Sequence, residues 1–187
     1  MKYLVITGNP KQDGLTHAVT QEVLKGAADG GAEVEILNAN GTETCRCCGD
    51  GWGTCREQHE CEFGEGDFNK AQEAIRTADA LCIVTPVYWW EVAEGLKSLM
   101  DRLRRCNRGI DRTGPLSGKQ ALLIAVPGAS GNGALPCLEQ MDRFCKHTGM
   151  RAFDYIGVNR WNSNYKKAAA YSAARAMAEG VKIGDTV

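Results

Sequence analysis

The stretch Asp79–Thr85, with the sequence DALCIVT, is apolar at every position between its two ends. A continuous apolar run of this length is typical of a β-strand that is covered on both faces, as in the interior of a parallel sheet. Gln120–Val126 (QALLIAV) is a second run of the same kind, and Lys2–Thr7 (KYLVIT) is a short apolar run rich in strand-forming residues. These runs predict a sheet whose central strands are buried.

Between and beyond these runs, strand patterns alternate with helical ones. The predicted strands are Lys2–Thr7, Glu33–Leu37, Asp79–Thr85, Gln120–Val126 and Ala152–Val158. The predicted helices are Leu15–Ala28, a helix capped by Asp67 that runs to Ala78, Glu91–Arg105, Leu135–His147 and Tyr165–Glu179. This alternation predicts an α/β fold: a three-layer sandwich with a five-stranded parallel sheet and helices on both faces.

Length and composition are those of one globular domain. The chain has 187 residues, 43% of them hydrophobic and 24% charged, with a formal net charge of -1. We expect a single domain over residues 1–187, with a cysteine-rich insertion at about residues 40–66. The net charge argues against a nucleic-acid or anionic-membrane partner, and no apolar stretch reaches a membrane span. The apolar run at the N-terminus is too short for a signal peptide, so we expect a cytoplasmic protein.

Three loops of the predicted sheet stand where ligands usually bind. In open parallel sheets the ligand lies outside the carboxyl ends of the strands, where the strand order reverses. The loops that follow the first, third and fourth predicted strands are Gly8–Leu15, Pro86–Trp90 and Pro127–Gly133. We refer to them as the first, second and third loops.

The first loop has the residue types that bind a phosphate. Backbone N–H groups, small hydroxyls and a helix N-terminus bind an anion without a full counter-charge. The positions concerned are Thr7, Gly8, Asn9, Pro10, Lys11, Gly14, Leu15 and Thr16. The loop matches neither a Walker sequence nor Gly-x-Gly-x-x-Gly. Taken alone, it is equally consistent with an ordinary turn between a strand and a helix.

The second and third loops have residue types suited to binding a flat aromatic ring. Pro86, Val87, Tyr88 and Trp89 lead into Trp90, so three adjacent aromatic residues are placed at the predicted crevice. The third loop is rich in glycine, which lets backbone amides approach the edge of a ligand, and its candidate positions are Pro127, Gly128, Ser130, Gly131 and Asn132. The alternatives are that one or two of the aromatic residues pack against the core or a neighbouring subunit, and that the third loop is a plain surface loop. Together the three loops describe a mononucleotide with a large flat base.

With these motifs the chain resembles the FMN-dependent NAD(P)H reductases of the flavodoxin-like superfold, and within them the iron–sulfur flavoproteins. The first loop is similar to the family signature Gly-Ser-Pro-Arg-x-x-Gly-Asn-Thr, with Asn9, Lys11 and Leu15 as departures. Pro86–Tyr88 is similar to the Ser-Pro-Val-Tyr segment. The pattern Leu-Lys-x-Phe/Leu-x-Asp-Arg is matched at Leu96, Lys97, Asp101 and Arg102.

The resemblance implies a flavodoxin-like sheet that binds FMN, with the phosphate on the first loop and the isoalloxazine ring against the second and third. It also implies NAD(P)H as electron donor, a small molecule or redox protein as electron acceptor, and a homodimer or homotetramer. The cofactor supplies the redox chemistry, so no catalytic side chain is predicted. We expect Asp101 to pair with an arginine rather than to act in chemistry.

Nine cysteines are many for a cytoplasmic chain, and five lie between residues 45 and 61. Cys45, Cys48, Cys55 and Cys61 are candidate ligands of a [4Fe–4S] cluster or a zinc ion. The resembled iron–sulfur flavoproteins carry a compact motif of this kind, but this chain is four residues longer between the second and third cysteines. A structural loop and a redox-active cysteine pair are the alternatives. We expect His59 to be exposed and the other four cysteines to have no function.

The sequence is consistent with two functions. The first is an FMN-dependent NAD(P)H oxidoreductase. The second is an electron carrier that uses FMN together with a [4Fe–4S] cluster. A flavin-free receiver-type domain on the same architecture is disfavoured, because the acidic residues that it needs after the first and third strands are replaced by Gly8-Asn9 and Pro86.

Overall fold

The computed structural model describes residues 1–64, 66–108 and 113–184, and its described part is built around one sheet. The strands are β1 (Lys2–Thr7), β2 (Glu33–Asn38), β3 (Ala80–Tyr88), β4 (Glu91–Val92), β5 (Gln120–Pro127) and β6 (Arg151–Gly157). Five of them run parallel in the order β2-β1-β3-β5-β6, and the two-residue β4 pairs antiparallel with the end of β3. The predicted parallel sheet is confirmed.

Helices cover both faces of this sheet. They are α1 (Gly14–Asp29), α2 (Asp67–Thr77), α3 (Glu94–Cys106), α4 (Ala134–Thr148) and α5 (Ser163–Ala178). Successive residues of a strand point to opposite faces, so Leu81 and Ile83 of β3 pack in the core beneath α2, α3 and α4. Cys82 and Val84 pack in the second core, beneath α1 and α5. The predicted three-layer sandwich is therefore confirmed.

At the end of β3 the prediction was wrong. Pro86–Tyr88 were expected in a loop, but they continue the strand opposite β5. Pairing with β1 ends at Thr7 and Val84, so the missing N–H of Pro86 breaks no hydrogen bond of the ladder. Residues 91 and 92, expected at the start of a helix, form β4 instead.

The start of α2 also differs slightly from its prediction. Asp67 was expected to be the N-cap, but it is the first helical residue, and Gly66 with φ 90° stands in the cap position. An acidic residue in the first turn still interacts favourably with the helix dipole. Among the described residues, no helix is long and apolar enough to cross a membrane.

Candidate functional site

The first loop packs tightly on the ends of β3 and α3. The Gly8 amide donates to the Val84 carbonyl at 3.1 Å. A Cβ atom at Gly8 would lie 3.0 Å from the Cβ of Leu96 and 3.1 Å from that of Ala93. Such separations are too short for a side chain without displacement, so glycine at this position lets the loop lie directly against α3.

Beyond Gly8 the loop leads to an uncapped helix. Asp13 occupies the N-cap position of α1, yet its side chain makes no capping hydrogen bond. The Asn9 side chain is turned back over the loop and accepts from the Lys11 amide at 3.3 Å, while the Asn9 amide donates to Thr7 Oγ1 at 3.2 Å. First-turn amides without a side-chain acceptor are the groups that bind an anion at a helix N-terminus.

The tip of the second loop is a two-residue hairpin turn formed by two tryptophans. Tyr88 pairs with Glu91, which leaves Trp89 and Trp90 as the turn residues. Their φ angles are 49° and 72°, in the left-handed region that a type I′ hairpin turn requires and that usually holds asparagine and glycine. Each residue held there costs about 1–3 kcal/mol. Trp89 is also 97% exposed, so burial does not offset this cost.

Neighbouring elements hold this turn in place. The Val92 amide donates to Gln140 Oε1 of α4 at 2.9 Å, and Gln140 Nε2 donates to Glu91 Oε2 at 3.3 Å. On the other side, the Ala93 amide donates to Thr85 Oγ1 at 3.1 Å. The tryptophan pair therefore sits on a hairpin whose position is set by α4 and β3.

The third loop lies against the second. A Cβ atom at Gly133 would lie 3.0 Å from the Cα of Trp90, and one at Gly131 would lie 2.3 Å from Cζ3 of Trp161. Both glycines have positive φ, 84° and 66°. Trp161 lies in the segment between β6 and α5, and it is 60% exposed with the Arg160 guanidinium 4.6 Å from its ring centroid. The sequence had given no role to this tryptophan.

The structure thus brings the three loops to one edge of the sheet. The first loop meets β3 at Thr85, whose Oγ1 would lie 3.2 Å from a Cβ at Gly8, and the second meets the third at Trp90 and Gly133. The predicted positions Pro86, Val87 and Pro127 belong to strands, so their backbones line this edge as rigid elements. An uncapped helix start, exposed indole rings and glycine-rich backbone can together bind an anion joined to a planar ring.

The cysteine-rich segment brings its thiols into one region. Cys55 is buried, and Cys45, Cys48 and Cys61 lie near enough to interact with its thiol electrostatically. Burial raises the pKa of the Cys55 thiol, and the nearby Arg105 guanidinium opposes this rise in pKa. Among the described residues, however, no three His, Cys, Asp or Glu side chains form a group that could hold a metal ion.

A fifth thiol joins this region from α3. Cys106 is buried, interacts with Cys61 and Cys55, and has its pKa raised to about 12 by burial. Cys106, which is distant from the cysteine-rich segment in the sequence, therefore lies beside it in the fold. His59 was expected to be exposed, but it is half-buried, with Nδ1 3.0 Å from the Cys106 carbonyl oxygen.

Three arginines fasten the segment to α2 and α3. Arg105 donates to the Gly51 carbonyl, Arg102 donates to the Phe63 carbonyl at 3.1 Å, and Arg76 donates to the His59 carbonyl. None of the ion pairs within the described residues involves these three arginines.

In the sequence, Arg102, Arg104, Arg105, Arg108 and Arg112 form a basic run late in and after a predicted helix, which is consistent with favourable charge at a helix C-terminus or with a contact to a nicotinamide dinucleotide phosphate or a partner subunit. Arg104 and Arg105 do lie in the last turn of α3, whereas Arg112 lies outside the described residues. Arg104 pairs with Asp101 at 3.2 Å, as expected for that carboxylate.

Comparisons with known proteins agree with this geometry. The family described as NADPH-dependent FMN reductase matches residues 1–155. An iron–sulfur flavoprotein from Methanocaldococcus jannaschii is 31% identical over 133 residues, which cover 71% of this chain and 65% of that protein, just under two thirds of its length.

A second iron–sulfur flavoprotein, from Methanosarcina thermophila, is 26% identical over 170 residues, covering 87% of this chain and 83% of that protein. Among solved structures, a flavone reductase superposes with a TM-score of 0.71 at 18% identity, over 96% of this chain and 62% of that one. At that identity, the superposition supports the flavodoxin-like fold alone.

Proposed function

The chain belongs to the NADPH-dependent FMN reductase family, and on that premise we propose that it is an FMN-dependent oxidoreductase that takes electrons from NAD(P)H. The acceptor is a small molecule or a redox protein. The observation that carries the proposal is the strained Trp89–Trp90 turn beside the third loop. Strain of this kind persists where the surrounding structure enforces it, and it concentrates at functional sites.

The residues at the sheet edge fit FMN. The first loop and the uncapped start of α1 suit the phosphate, with Thr7, Gly8, Asn9, Lys11 and Thr16 as the groups that hold it. On the ring side, Tyr88 and Trp89 offer exposed aromatic faces. Backbone amides between Gly128 and Asn132 suit the polar edge of the isoalloxazine. The remaining predicted positions, Pro10, Gly14, Leu15, Pro86, Val87, Pro127, Ser130 and Gly131, shape the backbone around the cofactor.

When bound at this edge, FMN would supply hydride-accepting and one- or two-electron redox chemistry. The chain's own contribution is to bind, to orient the rings and to exclude water. We therefore assign no side chain as an acid or a base.

The test is an FMN titration of the purified protein, followed by anaerobic addition of NADH or NADPH. We expect quenching of flavin fluorescence on binding and bleaching of the flavin absorbance by at least one nucleotide. Lys11→Ala should weaken FMN binding by about tenfold or less, since one charge-assisted contact is lost. Lys25→Ala, an exposed position on α1, is the matched control. A protein that binds no FMN would overturn the proposal.

An iron–sulfur electron carrier is the second candidate. The observation that favours it is the gathering of Cys45, Cys48 and Cys61 around Cys55, and the two relatives described above carry iron–sulfur in their names. As these thiols stand, they do not fit a metal centre, so we derive no step through a cluster. Iron and sulfide assays on anaerobically purified protein distinguish the two candidates. Matching amounts of iron and sulfide would favour the electron carrier, and their absence would favour the reductase.

We further propose that the protein assembles as a homodimer or homotetramer. Trp89, Trp90 and Trp161 are exposed at one edge of the sheet, with exposed fractions of 97%, 60% and 60%. Exposed apolar side chains that cluster commonly mark an interaction surface. Light scattering coupled to size-exclusion chromatography measures the mass in solution, and a 20 kDa species at all concentrations would contradict this assignment.

A further inference from the structure

A cavity of about 660 Å³ lies between β2, α2 and α3. We call it the α2/α3 cavity. Leu37, Ala39, Phe68, Ala71 and Leu99 form its apolar walls, and residues 40–43 border its mouth. None of the described residues that line it belongs to the three loops at the sheet edge. A volume of this size is in the range of small-molecule sites.

Arg102 lines the same cavity and carries a buried charge that no described carboxylate pairs with. Its residue surface is only 7% exposed, and its Nε has no hydrogen-bond partner. Nη2 donates to the Phe63 carbonyl at 3.1 Å and contacts Cys61 Sγ at 3.4 Å. The guanidinium carbon lies 3.8 Å from the ring centroid of Phe68. Within the described chain, none of the ion pairs includes Arg102.

A buried cation normally has an anionic partner, because taking an unpaired charge out of water is costly. Carbonyl oxygens and an aromatic face compensate this cost only in part. The start of α2 borders the same cavity, but Asp67 in its first turn already complements the helix dipole and the Asn69 amide donates to the Gly64 carbonyl at 3.1 Å. The buried guanidinium is therefore the feature that favours a negative group at this place.

Charges around the mouth limit how negative that group can be. Glu35, Glu43 and Asp67 are exposed carboxylates of the lining, and Arg46 and Lys70 are its exposed cations. Glu43 and Arg46 are 3.5 Å apart and pair with each other. The rim therefore offers no net positive charge to a polyphosphate, and Arg102 is the buried cation of the described lining.

We propose that the α2/α3 cavity binds a small organic anion: one carboxylate or phosphate monoester, held by Arg102, on an apolar or aromatic body. Phe63, Phe68 and Leu99 provide the surface for that body. The site shares no described lining residue with the proposed FMN site, but it adjoins that site, because Asn38 donates to the Asn9 carbonyl and the Ala39 amide donates to the Thr7 carbonyl. The proposal does not depend on whether the chain is a reductase. Its ligand is recognised by one anionic group and a flat or apolar shape.

The experiment uses the purified protein, first without and then with added FMN, and three probes of similar shape: benzoate, phenyl phosphate and the neutral benzamide. Ligand-observed NMR titrations measure the affinity of each. We expect at least one anion to bind and benzamide to bind about tenfold more weakly or not at all, as expected when a charge-assisted hydrogen bond is lost. The relative affinities of the two anions show whether the natural ligand carries a carboxylate or a phosphate.

Two kinds of variant test the site. Arg102→Met should weaken anion binding by about tenfold or more, whereas Arg143→Met, on the exposed side of α4, should leave it unchanged. Since Arg102→Met removes packing as well as charge, Ala74→Leu serves as a second variant that fills the cavity without altering charge. Binding that survives both Arg102→Met and Ala74→Leu would overturn the proposal, as would displacement of the anion by added FMN. So would failure of both anions to bind at about 10 mM, a limit that corresponds to very weak binding.

Discussion

Gly131 and Trp161 are fitted to each other, since a Cβ atom on Gly131 would lie 2.3 Å from Cζ3 of the indole. The contact joins the third loop to the segment that follows β6, two parts of the chain that are 30 residues apart. It therefore extends the sheet-edge site beyond the three loops to a fourth segment.

Gly131→Ala should lower the free energy of unfolding by about 1–2 kcal/mol, because a residue with a side chain is strained at a φ of 66° and must also displace the indole. In a Trp161→Ala background only the backbone strain remains, so the same substitution should cost less. Gly128→Ala is the matched control, since open space surrounds that position. Urea unfolding of the four proteins in this cycle measures the coupling, and equal costs in both backgrounds would contradict the contact.

Trp89→Asn should make the protein more stable and a weaker FMN binder. Asparagine tolerates the left-handed region better than tryptophan, and a side chain that is 97% exposed loses almost no burial when replaced. We expect a gain of about 1 kcal/mol in unfolding free energy, together with weaker quenching of flavin fluorescence. Tyr165→Asn, an exposed aromatic outside the loops, is the control. A variant that is destabilised, or that binds FMN as tightly as the parent, would contradict the role given to this turn.

Asp101→Asn should reveal a small pH-dependent contribution to stability. Partial burial acts to raise the pKa of the Asp101 carboxyl, but hydrogen bonds from Lys97 and Arg104 outweigh burial and hold that pKa below its usual value. A carboxyl with a lowered pKa in the folded state stabilises the fold above its unfolded pKa of about 3.9 and loses this contribution as the pH falls through the folded pKa.

Because these side chains are more than a third exposed, the contribution at pH 7 is about 0.5 kcal/mol. Urea unfolding at pH 7 and near pH 3 should show the gap between the two proteins closing in acid. Glu57→Gln, at an exposed loop position, should show no such trend. A gap that widens in acid would contradict the assignment.

The rate at which each cysteine thiol is alkylated should depend on how deeply that thiol is buried. Cys47 is exposed, whereas Cys82, Cys106, Cys137 and Cys145 are buried, and burial raises the pKa of each of these four thiols. Since the thiolate is the reactive form, chelator-treated native protein should be modified first at Cys47. The four buried thiols should react at least about 100-fold more slowly, through local opening. Peptide mapping by mass spectrometry follows each site, with guanidinium-unfolded protein as the control; rapid modification of Cys106 would contradict its burial.

Much of the architecture follows from local pattern. Lys2–Thr7 was predicted with both of its ends correct, and the start of β5 at Gln120 was also correct. These strands are buried on both faces, so their continuous runs of hydrophobic residues indicate directly that they lie in the interior of the sheet. Gly30 and Gly149 likewise mark the ends of α1 and α4, because a helix commonly ends where glycine relieves the backbone.

The Trp89–Trp90 turn could not be predicted from the local sequence pattern. Its residue types are the opposite of those that favour a type I′ turn, and only the pairing of β4 with β3 enforces the conformation. The same holds for Cys106, whose distance from the cysteine-rich segment along the chain concealed their proximity. Arg102 was assigned to the end of a helix, and its burial depends on Phe63 and Phe68, which the sequence could not place beside it.

Arginine contacts with the cysteine-rich segment have a consequence for its evolution. Arg76, Arg102 and Arg105 each donate to a backbone carbonyl of that segment, and every amino acid has such a carbonyl. The attachment of the segment to α2 and α3 therefore does not depend on which amino acids stand at Gly51, His59 and Phe63, as long as the path of the backbone is kept. In evolutionary terms, substitutions at those three positions can be tolerated by this attachment, whereas substitution of any of the three arginines removes an anchoring hydrogen bond.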